Sequence, residues 1–452
     1  MAPYTILLTG ANSGLGFSTC CRLMNEFLST RPASQTLHLL FTTRSPSKSS
    51  STLARLTAHL DRTIASVYGS EAKTASIREM QKARVRIDGE EADLCDLGSV
   101  KRLAGRVRGR GQKVDCLICN AGIGGWEGLH WGQAMWGVCT DIFEATTFPW
   151  YKRGMVGRRV EWDGAGRGEP GNEKDVGGEE EPVLGETFTA NVFGHYMLVH
   201  WLAGVMVRRE GEGSRVVWVS SIEAFDKFFD VEDLQGLKVG WSYESSKRLT
   251  DLLVLTSEET STRRYVEEFF SVGNGGKESP KMRDEGEGVL IETEGKVKPK
   301  MYVSHPGVCV TSISGIHWLL VYLNIAALYM VRWLGSPWHP ISSYIAAVST
   351  VWIALADTET LDRLEGEEGK GKWGAATDRM GGERVVRTEV DGWGWGGKPG
   401  ETTDGVWRLE ARKGKNRVYT KEEREEFDVK GAQVWKAMER LRKDWERRLQ
   451  ES

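Results

Sequence analysis

The sequence predicts an α/β fold with a mainly parallel, doubly wound sheet, and three stretches carry that expectation. Residues 4–8 form an apolar run of strand length that enters the turn Thr9-Gly10-Ala11-Asn12-Ser13-Gly14-Leu15-Gly16, followed by a helical stretch to about residue 28. Residues 215–219 are continuously apolar after Arg215, the pattern of a strand buried on both faces. Ser220 and Ser221 stand at the C-terminal end of that strand, where open α/β sheets place their chemistry. Further strand-length runs at 37–43, 114–119 and 301–304 alternate with helical stretches, as a parallel sheet with crossover helices requires.

A chain of 452 residues holds one large domain with insertions or two ordinary ones. Its formal net charge of −3 supplies no basic field for nucleic acid, so no such partner is expected. The seven cysteines, an odd number lying mostly in apolar stretches, fit a reducing compartment. Cys116 and Cys119 fall inside a buried-strand pattern and read as core, and no metal site is expected. The N-terminus runs straight into a strand without a basic leader, so no signal peptide is expected. Many of the 53 glycines collect late in the chain, as disordered insertions would have them.

In the order strand, turn, helix, the glycine turn has the chemistry of a dinucleotide site. Gly10 permits the tight turn, Gly14 lets backbone amides approach a pyrophosphate, and Gly16 allows close helix–strand packing. Asn12, Ser13 and Leu15 belong to the same turn, and the helix N-terminus adds partial positive charge. The second strand carries Thr42 and ends at Arg44, with Lys48 close behind. A carboxylate there would hold the ribose 2′-hydroxyl of NAD, whereas Arg44 suits the 2′-phosphate of NADP. NADPH/NADP+ is therefore the expected cofactor.

The glycine spacing is Gly-x-x-x-Gly-x-Gly, and Asp93-Leu94, Asn120-Ala121-Gly122, Asn191, Ser221 and Tyr243-x-x-x-Lys247 follow in order. With these motifs, residues 4–360 resemble the short-chain dehydrogenase/reductase superfamily. The resemblance implies a Rossmann fold with a seven-stranded sheet. It also implies that Asp93 caps the adenine with Leu94 beside it, and that the Asn120 turn lies beneath the cofactor. Asn191 would hold a water that relays protons to the lysine, Val308 after His305-Pro306-Gly307 would meet the nicotinamide carboxamide, and Thr311 would touch the phosphates. Ser221 would hydrogen-bond the substrate carbonyl while Ser220 packs inward.

Tyr243 and Lys247, four apart, share one helix face at about 5–6 Å between Cβ atoms. A free tyrosine has a pKa of about 10. An ammonium about 4 Å away is worth roughly 4 kcal/mol at an effective dielectric of 20, enough to favour the phenolate by about three pKa units before desolvation takes part back. The spacing alone describes many ordinary surface pairs; the upstream motifs give it meaning. The expected chemistry is hydride transfer from NADPH to a ketone carbon while Tyr243 protonates the developing alkoxide. Ser221 would stabilise that oxygen, and Lys247 would lower the Tyr243 pKa and bind the nicotinamide ribose.

The string Leu184-Gly185-Glu186-Thr187-Phe188-Thr189-Ala190-Asn191-Val192-Phe193-Gly194-His195-Tyr196 is more specific. Together with the 22-position step from Ser221 to Tyr243 and the Glu232-Asp233-Leu234 within it, it resembles the eukaryotic 3-keto-steroid reductases of sterol (ergosterol) synthesis, the fungal branch above all. This implies reduction of the 3-keto group of 4-demethylated sterol intermediates to a 3β-hydroxyl. It further implies residence at the cytosolic face of the endoplasmic reticulum membrane and lipid droplet, beside the C-4 demethylation enzymes and the sterol cyclase. The rival readings are a reductase of another lipophilic carbonyl, retinal-type or xenobiotic, and a membrane scaffold for a sterol enzyme complex. His195 reads as a packing residue.

The expected organisation is a catalytic domain over 1–310 with insertions at about 160–183 and 271–299, helices over 311–360, a flexible glycine-rich segment over 361–416, and an amphipathic helix over 417–452. Trp126, Trp131, Trp136 and Phe148 either line an apolar pocket or cover the core. Val192, Tyr196, Val199, Ala203 and Met206 recur as a buried helical stripe. The apolar part of 316–334 covers about 14 residues, short of the ~20 a spanning helix needs. It is either a lid on the substrate pocket or an interfacial helix, with Trp318, Tyr322, Trp333 and Trp338 at the headgroup boundary. Ile345, Val348, Trp352 and Leu355 read as a core helix. Thr420 and Glu423 form a capping box for the terminal helix, whose Val434, Met438, Leu441, Trp445 and Leu449 would dock on the domain or on a partner.

Overall fold

A computed structural model of the chain describes residues 2–160, 183–206, 213–271, 298–310, 318–399 and 419–451. The two expected insertions fall almost wholly outside the described residues, as does Thr311.

The strands are β1 (Tyr4–Leu8), β2 (Leu37–Thr43), β3 (Val85–Glu91), β4 (Cys116–Cys119), β5 (Trp126–Leu129), β6 (Lys152–Gly154), β7 (Arg215–Val219), β8 (Lys300–His305), β9 (Lys372–Thr377) and β10 (Glu383–Thr388). Eight of them form one sheet in the order β10-β9-β8-β7-β4-β1-β2-β3, parallel throughout except for the antiparallel β9–β10 pair. This is the doubly wound Rossmann architecture, with one strand more than expected. The chain alternates faces along β1, so that Ile6 and Leu8 enter one helix layer and Leu7 the other. One layer contains the helices Gly14–Thr30 and Val348–Leu355; the other contains Leu97–Gly109, Gly194–Leu202 and Ser242–Leu255. The expected stripe from Val192 to Met206 is buried at all five positions.

The glycine-rich segment corrects the sequence expectation. Residues 361–416 are expected to be flexible, yet 372–377 and 383–388 are strands and the Trp393–Trp395 turn is packed, while 400–416 lie outside the described residues. Glycine content misleads here because β9 needs small residues for close approach. A Cβ on Gly374 would run into the His305 ring of β8. Trp393 donates its indole N–H to the Lys370 carbonyl at 2.7 Å and lies under the Arg424 guanidinium at 3.9 Å.

The terminal helix Lys421–Glu451 opens on the expected capping box, with Thr420 N–H on Glu423 at 3.0 Å and Glu423 N–H on Thr420 Oγ1 at 3.3 Å. It docks on its own domain, burying Val434, Met438 and Trp445 and half-burying Leu441 and Leu449. Tyr196 donates to Glu439 at 2.7 Å and Trp435 to the Leu253 carbonyl at 3.1 Å, so the helix braces the segment that carries Tyr243.

The helix Trp318–Trp333 buries Leu328 and Val331 and leaves Tyr322, Leu323, Met330 and Trp333 exposed. Among the described residues no helix is long and apolar enough to cross a membrane. Trp338, expected at a headgroup boundary, is instead wholly buried with its ring 5.2 Å from that of His305. The aromatic residues of 126–150 divide: Trp131 and Trp136 are exposed, while Phe148 is buried with its ring 5.0 Å from that of Phe225.

Candidate active site

The glycine turn is held from below. Gly10 and Gly14 adopt φ of +75° and +54°, where a side chain would be strained. A Cβ on Gly16 would collide with the Gly10 carbonyl. The Thr42 hydroxyl accepts Gly10 N–H at 3.2 Å, and Asn120 Nδ2 donates to the Thr9 and Gly10 carbonyls at 2.9 and 3.3 Å. Thr42 and Asn120 thus brace the turn. Thr9 Oγ1 in turn accepts Asn120 N–H at 3.0 Å and stands 2.8 Å from His195 Nε2. His195 is buried and its pKa is lowered to about 3 by burial, so it serves as a neutral packing residue.

Ser13 precedes the helix without a side-chain cap, so its hydroxyl does not compete with an anion for the first-turn amides. Arg44 and Lys48 are exposed at the end of β2. Arg55, not singled out in the sequence, donates to the Asn12 carbonyl at 2.9 Å and adds a third cation at this edge. Asp93 accepts Cys95 N–H at 3.0 Å, and Leu94 is buried in the core. Open amides, a turn too tight for side chains and flanking cations fit a phosphorylated dinucleotide.

The residues expected to be catalytic converge at the end of β7. Asn191 lies in a π-helical segment, Thr189–Phe193, a distortion common at functional sites. Its Oδ1 accepts Ile123 N–H at 2.8 Å, while its Nδ2 donates to the Ile123 carbonyl at 3.1 Å and to Ser246 Oγ at 3.0 Å. Gly122 leaves room for this, since a Cβ there would approach Asn191 Oδ1 to 2.8 Å. Ser221 stands near the Tyr243 phenol, and its Oγ accepts Glu223 N–H at 3.2 Å. Ser220 packs inward, donating to the Lys247 carbonyl at 3.3 Å. Lys247 Nζ donates to the Val219 carbonyl at 2.8 Å and lies 5.5 Å from the Tyr243 ring centroid. Burial foremost, then the Lys372 ammonium, lowers Lys247 to about 8, against the pull of Asp251.

The Tyr243 phenol moves opposite to the expected direction. Burial first, then the Glu223 carboxylate, pushes Tyr243 up; Lys152 and Ser221 oppose, and Glu244 adds to the rise. Helix spacing brings Lys247 near but says nothing of the carboxylates that other segments bring. Val308 also differs from its expected role: its N–H already donates to the Trp338 carbonyl at 2.7 Å, and its carbonyl accepts Ile341 N–H at 3.2 Å.

Sequence reasoning missed Lys152, Glu223, Asp251 and Lys372. Lys152 sits in the β5–β6 hairpin and Lys372 in the segment read as flexible, so neither had a local signal. Trp126, from the same hairpin, packs edge-on against Tyr243 with centroids 5.1 Å apart. Glu223 and Glu244 also line a cavity of about 640 Å³ walled by Phe148, Phe225, Phe228, Trp241 and Phe427.

The chain is 41% identical to the 3-keto-steroid reductase erg27 of Aspergillus fumigatus, a match covering all of this chain and 96% of that protein. It belongs to the 3-keto-steroid reductase family. The family's ERG27 of Gibberella zeae is 34% identical over 98% of this chain and 94% of its own length. The erg27 protein of Schizosaccharomyces pombe is 29% identical over 85% of this chain and 90% of its own length. Among solved structures, a short-chain type dehydrogenase/reductase from Mycobacterium ulcerans aligns over 80% of this chain and 86% of its own, at 15% identity and a TM-score of 0.41. Pseudomonas aeruginosa RhlG in an NADP complex aligns over 80% and 91%, at 14% identity and a TM-score of 0.42. No family model matches the chain.

Proposed function

We propose that this 3-keto-steroid reductase reduces the 3-keto group of 4-demethylated sterol intermediates to a 3β-hydroxyl with NADPH. The observation that carries the reading is the convergence of Ser221, Tyr243, Lys247 and Asn191 at the end of β7, beside a braced glycine turn. Bound at that turn, NADPH would supply the hydride; Gly10, Gly14, Gly16 and the amides after Ser13 would hold its pyrophosphate, and Arg44, Lys48 and Arg55 its 2′-phosphate.

Each protein group then has a stated task. Tyr243 gives its proton to the substrate oxygen as negative charge develops there. Ser221, which accepts from Glu223 N–H, keeps its own proton free to donate to the same oxygen. Lys247 faces the Tyr243 ring and favours the phenolate left behind. Asn191, tied to Ile123 and Ser246, holds the helix at the register that places these groups.

The exposed Tyr322, Leu323, Met330 and Trp333, with Trp131, Met135 and Trp136, support an interfacial seat on the endoplasmic reticulum or lipid-droplet surface, from which a sterol would enter. The test of function uses purified protein, a 3-keto sterol and NADPH, with cofactor consumption and product followed together. Tyr243→Phe is expected to lose about 10²–10⁴-fold in kcat without loss of fold. Full sterol synthesis in cells carrying only that variant would favour the scaffold reading instead.

A further inference from the structure

The Tyr243 ring has a second ammonium beside it. Lys152 Nζ, on β6, lies 5.3 Å from its centroid, as near as Lys247 at 5.5 Å. Lys152 is buried, 4.6 Å from the Trp126 ring centroid, and forms two ion pairs of 2.7 Å, one to Glu223 Oε1 and one to Glu244 Oε1.

Three facts separate this cluster from an incidental salt bridge. Two carboxylates around one lysine leave a net negative charge in a buried place, an arrangement that costs stability. Both carboxylates are tied to the catalytic groups: Glu223 donates its N–H to Ser221 Oγ, and Glu244 follows Tyr243 in the chain. Both also line the 640 Å³ cavity, which gives the cluster an aqueous neighbour.

We propose that Lys152, clamped by Glu223 and Glu244, is a positioning residue that sets how readily Tyr243 gives up and regains its proton. When the Tyr243 O–H bond breaks and its proton passes to the substrate oxygen, the phenolate that forms faces the Lys152 and Lys247 ammoniums. The two carboxylates keep Lys152 charged and in place, and they favour return of the phenolate to phenol, with a proton taken from solvent through the adjoining cavity, for the next turnover. This rests on Tyr243 being the acid of the proposed reaction. The directions of influence agree: Glu223 and Glu244 push the phenol up and Lys152 pulls it down, while burial raises Glu223 itself. The other titratable groups facing the pair are Lys247, on the Tyr243 helix, and Tyr151, a neutral phenol that feels both Glu223 and Lys152. Lys372 and Asp251 act on Lys247.

The test follows the reverse reaction, oxidation of a 3β-hydroxysteroid with NADP+, which needs the phenolate and rises with pH. Lys152→Met should lower kcat of reduction about tenfold, leave KM for NADPH unchanged, and move the alkaline rise up by about one pH unit. Glu223→Gln, nearly isosteric, should move the rise down by about the same amount, and Lys152→Arg should restore most of the rate. A purely structural cluster would lose activity and melting temperature together in both variants with the rise unmoved. That outcome, or a shift of the same sign in both, overturns the proposal. Retained activity in Tyr243→Phe would instead sink the underlying reading of Tyr243 as the acid.

Discussion

Lys372 and Asp251 form an ion pair of 2.6 Å in which the side chains are 3% and 0% exposed, and the same ammonium donates to the Ser221 carbonyl at 2.6 Å. One lysine on β9 therefore ties the end of β7 to the Tyr243 helix. Removing one partner of such a pair strands a charge, whereas removing both does not. Lys372→Met should cost about 3–5 kcal/mol of stability and reduce kcat through Ser221. The double variant Lys372→Met/Asp251→Leu should cost clearly less than the sum of the two single changes. Additive melting-point losses across the cycle would show that the pair carries no coupling.

Lys247 gives a pH dependence with a definite sign. Its pKa is about 8 in the fold against 10.5 as a free side chain. Between those values the unfolded chain binds the proton and the fold does not, so stability rises with pH through that window. Below 8 both states are protonated and the full cost of burying the ammonium remains. Relative to wild type, Lys247→Met should therefore gain about 3 kcal/mol near neutral pH, less whatever contacts it loses, and this gain should fade towards pH 10.5. Urea unfolding of both proteins at neutral and alkaline pH checks this; a gap that does not change with pH counts against it.

Arg44 stands exposed where β2 ends, within the edge that also holds Lys48 and Arg55. Arg44→Asp should lower kcat/KM with NADPH by about tenfold or more, since a carboxylate repels the 2′-phosphate and suits a 2′-hydroxyl. The preference should move towards NADH. An unchanged ratio of the two cofactors would place the 2′-phosphate elsewhere.

The helix Trp318–Trp333 offers an internal control for membrane contact. Met330 and Trp333 are exposed and Leu328 is buried on the same helix. Met330→Glu with Trp333→Glu should abolish co-flotation with phosphatidylcholine vesicles while leaving the unfolding free energy within about 1 kcal/mol of wild type. Leu328→Glu should unfold the region instead. Undiminished flotation of the double variant would remove this helix from the contact.

Small residues at β9 supply a stability test of the extended sheet. Gly374→Val would drive a branched side chain into the His305 ring and the Trp338 indole. A loss of about 1–3 kcal/mol or more is expected, as for overpacking in a core. A neutral effect would mean that β9 does not lie against β8 as described.

Much of the fold was legible because it depends on neighbours in sequence. The continuous apolar run of β1, the glycine turn, the capping box at Thr420 and the Tyr243–Lys247 spacing each follow from residues a few positions apart. Glycine in 361–416 suggested flexibility because composition does not distinguish a chain that cannot pack from one that must pack closely.

By itself the sequence determined the doubly wound architecture, the glycine turn and the proposal of Tyr243 as proton donor. Only the tertiary structure decided the charge around that donor. Lys152 reaches Glu223, 71 positions away, and Lys372 reaches Asp251 and Ser221, 121 and 151 positions away, separations that leave no periodic trace. Electrostatic influence follows distance in space and local burial, not position in the chain, so the direction in which the phenol moved emerged only once these segments were folded together.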